Sequence, residues 1–265
     1  RQQWEAISRG LSRLDNRLPY IACQGNHDLG YIAAEYRYSM MPNYIYPERN
    51  STFAKTLVST GTNYEGIHTM ENSAYEFHDE AWGDLLIISF EFAPRDEALD
   101  WARQLIESER FKNHKVIILT HSFLATNGDR IVEEGYKLTP RNWAQAVWEK
   151  LIYPSKNIKM VLCGHTGNPP KIRKGEDVDF HMTTSCRVDK AADGHEVVQM
   201  MFNSQNGDGS WNGNGGDCWL RILEFKPDGK TIGVRTFSPL FALSRHTQHL
   251  AGRTAEYDQF FITIE

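Results

Sequence analysis

The run Lys115-Val116-Ile117-Ile118-Leu119-Thr120-His121-Ser122 decides the fold class. Its continuous apolar stretch has the length of a strand buried on both faces, which is how strands of a helix-covered parallel sheet read, and it ends in a histidine. A second run of this kind, Ile158 to Cys163, ends in Gly164-His165-Thr166. A third, Tyr20 to Cys23, opens at Pro19 and runs into Gln24-Gly25-Asn26-His27-Asp28, where Gly and Asn permit the sharp turn that precedes many functional loops. Helical spacings lie between these strands. Trp4, Ile7, Leu11 and Leu14 predict a first helix ending near Asn16. Leu99, Ala102, Leu105 and Ile106 predict one within Pro94 to Arg110, and Trp143, Val147, Trp148 and Leu151 predict one starting at Pro140. Ala74 to His78 and Leu85 to Phe92 read as paired strands joined through Asp79 to Asp84. Alternating buried strands and helices support an α/β sheet core.

Outside this core the texture changes. Residues 29–72 are polar, aromatic and irregular, and read as an insertion lobe. From residue 178 short strands follow one another without helices: Val178 to Cys186, Val197 to Asn203, Trp219 to Phe225 and Thr231 to Phe237, the last two joined by the hairpin signal Lys226-Pro227-Asp228-Gly229-Lys230. Ser204 to Asp217 is rich in Gly and Asn and reads as a mobile loop. The expected division is a domain over residues 1–245 and a C-terminal extension over 246–265 that packs on it.

The chain has 265 residues with 40% apolar and 24% charged, a composition that excludes disordered, collagen-like and disulfide-scaffold classes. With 29 Lys plus Arg against 34 Asp plus Glu, the net charge is −5, and no basic stripe offers nucleic acid a surface. No apolar run reaches the roughly 18–20 residues of a membrane helix. Four cysteines without a CxxC pair make no scaffold; Cys23 and Cys163 sit in apolar runs and read as buried inert thiols. The sequence opens directly into a helical pattern, with no basic and apolar leader.

Three buried strands that each end in a polar cluster with histidine bring Asn26, His27, His121 and His165 to one rim of the sheet, because groups at the carboxyl ends of parallel strands converge on one edge. A lone histidine after a strand is ordinarily a satisfied loop residue; three together point to a metal site. Imidazole nitrogen and amide oxygen suit manganese, iron, zinc or nickel.

The order Gly25-Asn26-His27-Asp28, a buried strand ending in His121, and a buried strand ending in Gly164-His165 resembles the calcineurin-like metallophosphoesterases. The stretches Phe90-Glu91-Phe92-Ala93-Pro94-Arg95-Asp96-Glu97, Asn214-Gly215-Gly216-Asp217-Cys218-Trp219-Leu220-Arg221 and Arg235-Thr236-Phe237-Ser238-Pro239 look like a bacterial branch whose members are often exported. The resemblance implies a four-layer α/β/β/α sandwich and hydrolysis of a phosphate mono- or diester by a metal-activated water. It implies two divalent ions in a complete site and an extracytoplasmic location. Asn26, His121 and His165 then match ligands of the second metal, His27 the histidine beside the scissile phosphate, and Asp28 the acid that orients it. A protonated His27 would stabilise developing charge or protonate the leaving oxygen.

The pattern also departs from the family. Neither the Asp-x-His strand nor the Gly-Asp-x-x-Asp loop that supplies the bridging aspartate occurs before Asn26, so the chain reads as N-terminally truncated, and Gly167 stands where many relatives have a second histidine. The expectation is therefore a chain with part of the dinuclear site; the alternative is an impaired fragment or pseudoenzyme acting as a binding or structural domain. Asn127, Asp129, Arg130 and Arg141 follow the His121 strand and are weaker candidates for substrate binding, with a solvated loop as the plain reading. His246 and His249 read as surface residues. Trp211 and Trp219, flanking the Gly-Asn loop, read as stacking platforms for a sugar or base or as ordinary packing.

Overall fold

The computed structural model describes residues 2–167, 183–204 and 216–264. Its largest element is a seven-stranded mixed sheet in the order β1-β2-β3-β4-β5-β7-β6. These strands are β1 (Leu57–Thr62), β2 (His68–Asp79), β3 (Gly83–Ser89), β4 (Lys115–Leu119), β5 (Ile158–Cys163), β6 (Thr184–Lys190) and β7 (Glu196–Phe202). The central four, β3, β4, β5 and β7, are mutually parallel, and antiparallel strands close both edges. The apolar runs at β4 and β5 are long enough only for strands, and both faces of these strands are covered.

On one face, α2 (Asp96–Glu107) and the helical stretch α3 (Ala144–Val147), continued by a π turn over Trp148–Ile152, bury Leu99, Ala102, Ile106, Val147 and Leu151 against Leu86, Ile88, Val116, Ile118 and Val161. On the other face a four-stranded antiparallel sheet covers Leu85, Ile117, Met160 and Val198 with Ile232, Leu223, Phe225 and Ile262. Its centre is β9 (Thr231–Phe237), flanked by β8 (Leu220–Phe225) on one side and by β10 (Gly252–Arg253) and β11 (Phe260–Thr263) on the other. Trp82 ties the two sheets by donating its indole N–H to the Lys226 carbonyl at 2.8 Å. The helix α1 (Gln2–Leu11) packs Trp4 and Leu11 on a satellite cluster of Met41, Ile45, Phe53, Met70 and Tyr75. No helix among the described residues is long and apolar enough to cross a membrane.

Several elements differ from the sequence reading. Tyr20 to Cys23 forms no strand. It lies beside the end of β3, where Ser89 Oγ donates to the Ala22 carbonyl at 3.2 Å. Since β3 already has β2 and β4 as ladder partners, the segment can pack on the sheet but not pair with it. The lobe expected over 29–72 contains sheet: β1 and the start of β2 lie within it. Pro140 does not open a helix, because its carbonyl accepts from the buried Arg37 guanidinium at 3.1 Å instead of from the next helical turn. The chain turns helical only after Trp143. The strand expected to start at Val178 runs from Thr184 to Lys190, with residues 178–182 outside the described residues, as are Trp211 and most of the expected Gly-Asn loop. Burial pushes both the Cys23 and the Cys163 thiols up to about 12, so neither forms a thiolate at neutral pH.

Candidate metal centre

All the polar clusters noted in the sequence lie at the carboxyl edge of the parallel strands. β4 delivers Thr120-His121, β5 delivers Gly164-His165, and the extension beyond β3 delivers Phe92. Asn26 begins a single 3-10 turn, Asn26–Asp28, whose geometry is fixed from within: Asp28 Oδ2 accepts the Gly25 N–H at 2.8 Å. Gly25 is there because His121 lies against its backbone. A Cβ at residue 25 would sit 2.9 Å from Cε1 of the His121 ring, closer than carbon atoms pack.

Asn26, His121 and His165 meet. Nε2 of His121 lies 3.0 Å from Asn26 Oδ1 and 3.1 Å from His165 Nδ1. The Asn26 amide is oriented by its other end, since Nδ2 donates to the Tyr136 hydroxyl at 2.9 Å and so turns Oδ1 toward the imidazoles. His165 is held by Glu134, whose Oε2 accepts from Nε2 at 2.9 Å, while the other carboxylate oxygen takes the Ser122 hydroxyl in a short hydrogen bond. In the neutral His165 ring that bond uses the only N–H and leaves Nδ1 with a lone pair. Three electron-pair donors therefore face one another with a single proton to share, an arrangement a cation relieves. Ligands at right angles around an ion with bonds of about 2.0–2.2 Å are roughly 3 Å apart, the spacing seen here.

The electrostatics favour neutral ligands. Burial pushes the His121 imidazole down to about 4, with His165 beside it adding to the shift and Glu134 opposing it, so His121 is uncharged at neutral pH. Phe92 forms the apolar wall: its ring centroid lies 5.7 Å from His121 and 6.0 Å from His165, and Tyr136 and Trp143 pack edge-on against it. His165 has φ of +66°, a conformation that costs a non-glycine residue of order 1–3 kcal/mol. Its carbonyl accepts from Asn203 Nδ2 at 2.9 Å, which helps hold the strained turn. The same amide accounts for Gly167, where a Cβ would lie 3.2 Å from Asn203 Nδ2.

The donor set among the described residues is that of a single ion. Among the described residues no group of three or more His, Cys, Asp or Glu side chains is arranged to hold a metal, and the trio is two imidazoles and an amide. It offers three neutral donors on one side of an ion.

The other candidates fall elsewhere. His27 is exposed beside the trio, and its Nδ1 is hydrogen-bonded at 2.9 Å to the Ile32 carbonyl, not to Asp28. The expected Asp28 support of the His27 ring is thus replaced by the backbone, and Asp28 instead caps the turn that carries Asn26. Burial raises the Asp28 carboxyl, with the Gly25 N–H and His27 opposing the rise. Arg130 does not reach the trio: it donates to Gln199 and to Asp189 at 2.8 and 2.6 Å and stacks 3.6 Å above the Trp148 ring. Asn127 and Asp129 bond each other in a tight turn. Arg141 bonds the Leu138 carbonyl and lies over Trp143. Trp219 packs on Phe241 and under Arg253, and His246 and His249 are exposed. Sequence reasoning missed Glu134, Tyr136 and Phe92. Phe92 lies in the family-like stretch Phe90 to Glu97 but carries no sign of facing the trio, and the only mark of Glu134 and Tyr136 is a polar, aromatic stretch between a strand and a helix, which resembles any loop.

The model of the family described as calcineurin-like phosphoesterase matches residues 1–169. Over 239 residues the chain is 25% identical to a Bacillus subtilis (strain 168) protein named "Uncharacterized protein YvnB". That match covers 90% of this chain but spans only 16% of the relative's length. The motif order, the mixed sheet and the convergent trio agree with this finding: the chain belongs to the calcineurin-like phosphoesterase family.

Proposed function

We propose that Asn26, His121 and His165 hold one divalent metal ion and that His27 acts on a phosphate mono- or diester bound beside it. The observation that carries this reading is the approach of Asn26 Oδ1 and His165 Nδ1 to Nε2 of His121, at 3.0 and 3.1 Å. A bound ion would supply Lewis-acid polarisation of a phosphoryl oxygen and a water of lowered pKa. Glu134 fixes the ring plane of His165, as carboxylates do for histidine ligands. Tyr136 fixes the Asn26 amide. Phe92 keeps water from one side of the trio. His27, with Nδ1 committed to Ile32, keeps Nε2 for the ester.

The ion is manganese, iron, zinc or nickel by the chemistry of its donors. With three neutral ligands and no carboxylate in the first ring, affinity is weak and hydrolysis is slow. A second reading, a non-hydrolytic binding domain, is favoured by one observation: no complete His, Cys, Asp or Glu cage exists among the described residues. Titration of manganese and zinc into the protein and into Asn26→Ala, His121→Ala and His165→Ala variants tests the site. The expected result is one bound equivalent, lost in every variant; equal binding by the variants refutes it. Turnover of p-nitrophenyl phosphate and bis(p-nitrophenyl) phosphate, measured in parallel, separates the two readings. Metal binding without any metal-dependent turnover favours the binding domain.

A further inference from the structure

A cavity of about 450 Å³ lies in the lobe between residues 36–43 and the turn from β1 into β2, within the size range of small-molecule sites, about 300–1,000 Å³. Its lining includes Tyr36, Tyr38, Tyr64, Asn43, Asn63 and Glu71, and none of the trio. Three features of this lining are unusual together. The three tyrosines are 50%, 55% and 56% exposed and gather around one cavity, an apolar patch of the kind that marks ligand grooves. Beneath them are polar side chains that are nearly fully buried: Glu71 is 4% exposed and Asn63 9%. Finally, the cavity floor is rigid, since Gln24 joins Glu71 to the Phe92 N–H and Arg37 grips the Phe92 and Ala93 carbonyls.

The chemistry of the ligand follows from which groups have capacity left. Arg37 is the lining's cation, and its Nε, Nη1 and Nη2 are all directed at backbone carbonyls, with the Glu91 carboxylate 3.6 Å away. It has no pair of donors to offer an anion. Glu65 and Glu71 on the same wall repel one. Glu71 accepts from Gln24 at 2.7 Å, from Thr69 at 2.8 Å and from the Asn63 amide; a carboxylate has about four acceptor positions, so it can still take one hydroxyl proton. Asn63 Oδ1 is occupied by the Glu65 and Ile67 N–H groups and its amide also bonds Glu71, which leaves one amide N–H as a donor. Burial raises the Glu71 carboxyl, which makes an uncharged partner with hydroxyl donors the better match. Open aromatic faces above fixed acceptors and donors suit a ring with apolar C–H faces and a hydroxyl rim.

We propose that this cavity is a binding site for a neutral saccharide, stacked on Tyr36, Tyr38 or Tyr64 and hydrogen-bonded to Glu71 and Asn63. The site does not depend on a metal at the histidine trio. The experiment is saturation-transfer NMR and calorimetry on the whole chain, with trisaccharides of glucose, mannose and N-acetylglucosamine, in chelator and again with manganese. Adenosine and inorganic phosphate are run as competitors. The expected result is saturable binding of at least one trisaccharide, unaffected by the chelator and weakened about tenfold or more by Tyr64→Ala and by Glu71→Gln. Tyr153→Ala, an exposed tyrosine away from the cavity, leaves it unchanged. Because Glu71→Gln disturbs a buried network, its melting profile is recorded, and Tyr38→Ala on the exposed rim supplies an independent variant. The proposal is overturned if none of the trisaccharides binds at 5 mM (about the weakest affinity of use, near 3 kcal/mol). It is equally overturned if binding survives both tyrosine variants, or if adenosine or phosphate displaces the sugar at lower concentration.

Discussion

The Glu134 carboxylate joins two loops that follow different strands, accepting from His165 Nε2 at 2.9 Å with one oxygen and from the Ser122 hydroxyl with the other. Ser122 directly follows His121, so this one side chain sets the relative position of both imidazoles. If the trio binds metal, Glu134→Gln keeps the volume but loses the charge that fixes the His165 tautomer. Metal affinity falls about 10- to 100-fold, the usual cost of removing such a partner. Competition with a chromophoric chelator measures it. An affinity unchanged by the substitution means that His165 is oriented by packing alone.

Gly25→Ala tests the same centre from its other side. The added carbon would lie 2.9 Å from His121 Cε1, so the ring must tilt or the 3-10 turn must move. Overpacking of this kind costs about 1–3 kcal/mol, visible in urea denaturation. Because the tilt draws Nε2 away from Asn26, metal binding weakens at least about tenfold as well. Gly167→Ala, whose neighbour Asn203 Nδ2 at 3.2 Å has more room to yield, has the smaller effect on both measurements.

Much of this centre was legible in sequence because strand ends are. The runs at β4 and β5 are strands on length and composition, and a histidine just past each C-terminus can only lie on the sheet's carboxyl edge. Tyr20 to Cys23 looks the same on paper. Whether an apolar run pairs or merely packs depends on free edges elsewhere, and β3 has none to offer. The partners of Asp28 are hidden for a related reason: adjacency to His27 says nothing about which backbone group each meets, and the 3-10 turn sends the carboxylate to Gly25 and the ring to Ile32. Glu134 lies 12 residues beyond Ser122 in a loop without periodicity, where no local pattern separates it from Glu133 beside it.

Arg130 is a stabilising residue, and pH reports it. Its guanidinium meets Asp189, which also takes two bonds from Arg187 and one from Gln199. The Arg187 hydrogen bonds, despite partial burial, hold the Asp189 carboxyl below its ordinary value of 3.8. The folded form thus binds its proton less readily than the unfolded one. The stability this contributes is fully present above about pH 4 and is lost as the pH falls through the lowered folded value. Asp189→Asn therefore destabilises at pH 7, by about 1–3 kcal/mol for lost charged hydrogen bonds. The gap to the unmodified protein narrows below pH 4. Arg130→Ala shows the same loss with metal affinity unchanged. A loss of metal affinity or of ester turnover out of proportion to stability would return Arg130 to the substrate site.

His27 is expected to act on the ester and not on the metal. Asn26 and His27 are consecutive in a tight turn, and the first is 4% exposed while the second is open to solvent, so their side chains leave the backbone in different directions. Nδ1 is tied to the Ile32 carbonyl, which fixes the ring and leaves Nε2 as the atom able to pass a proton to a leaving oxygen. His27 adds to the lowering of the His121 imidazole, so the two rings are within electrostatic reach. In a preparation with metal-dependent turnover, His27→Ala lowers the rate by roughly 10²- to 10⁴-fold, the span of a general acid. The loss is larger for an alkyl phosphate than for a p-nitrophenyl ester, because a good leaving group needs no proton. Bound metal, measured on the same sample, stays within experimental error, whereas Asn26→Ala and His165→Ala reduce it. Ile32 supports the ring only through its carbonyl, so Ile32→Ala retains most of the activity. Equal rate losses for the two esters exclude proton donation, and loss of metal with His27 makes it a ligand instead.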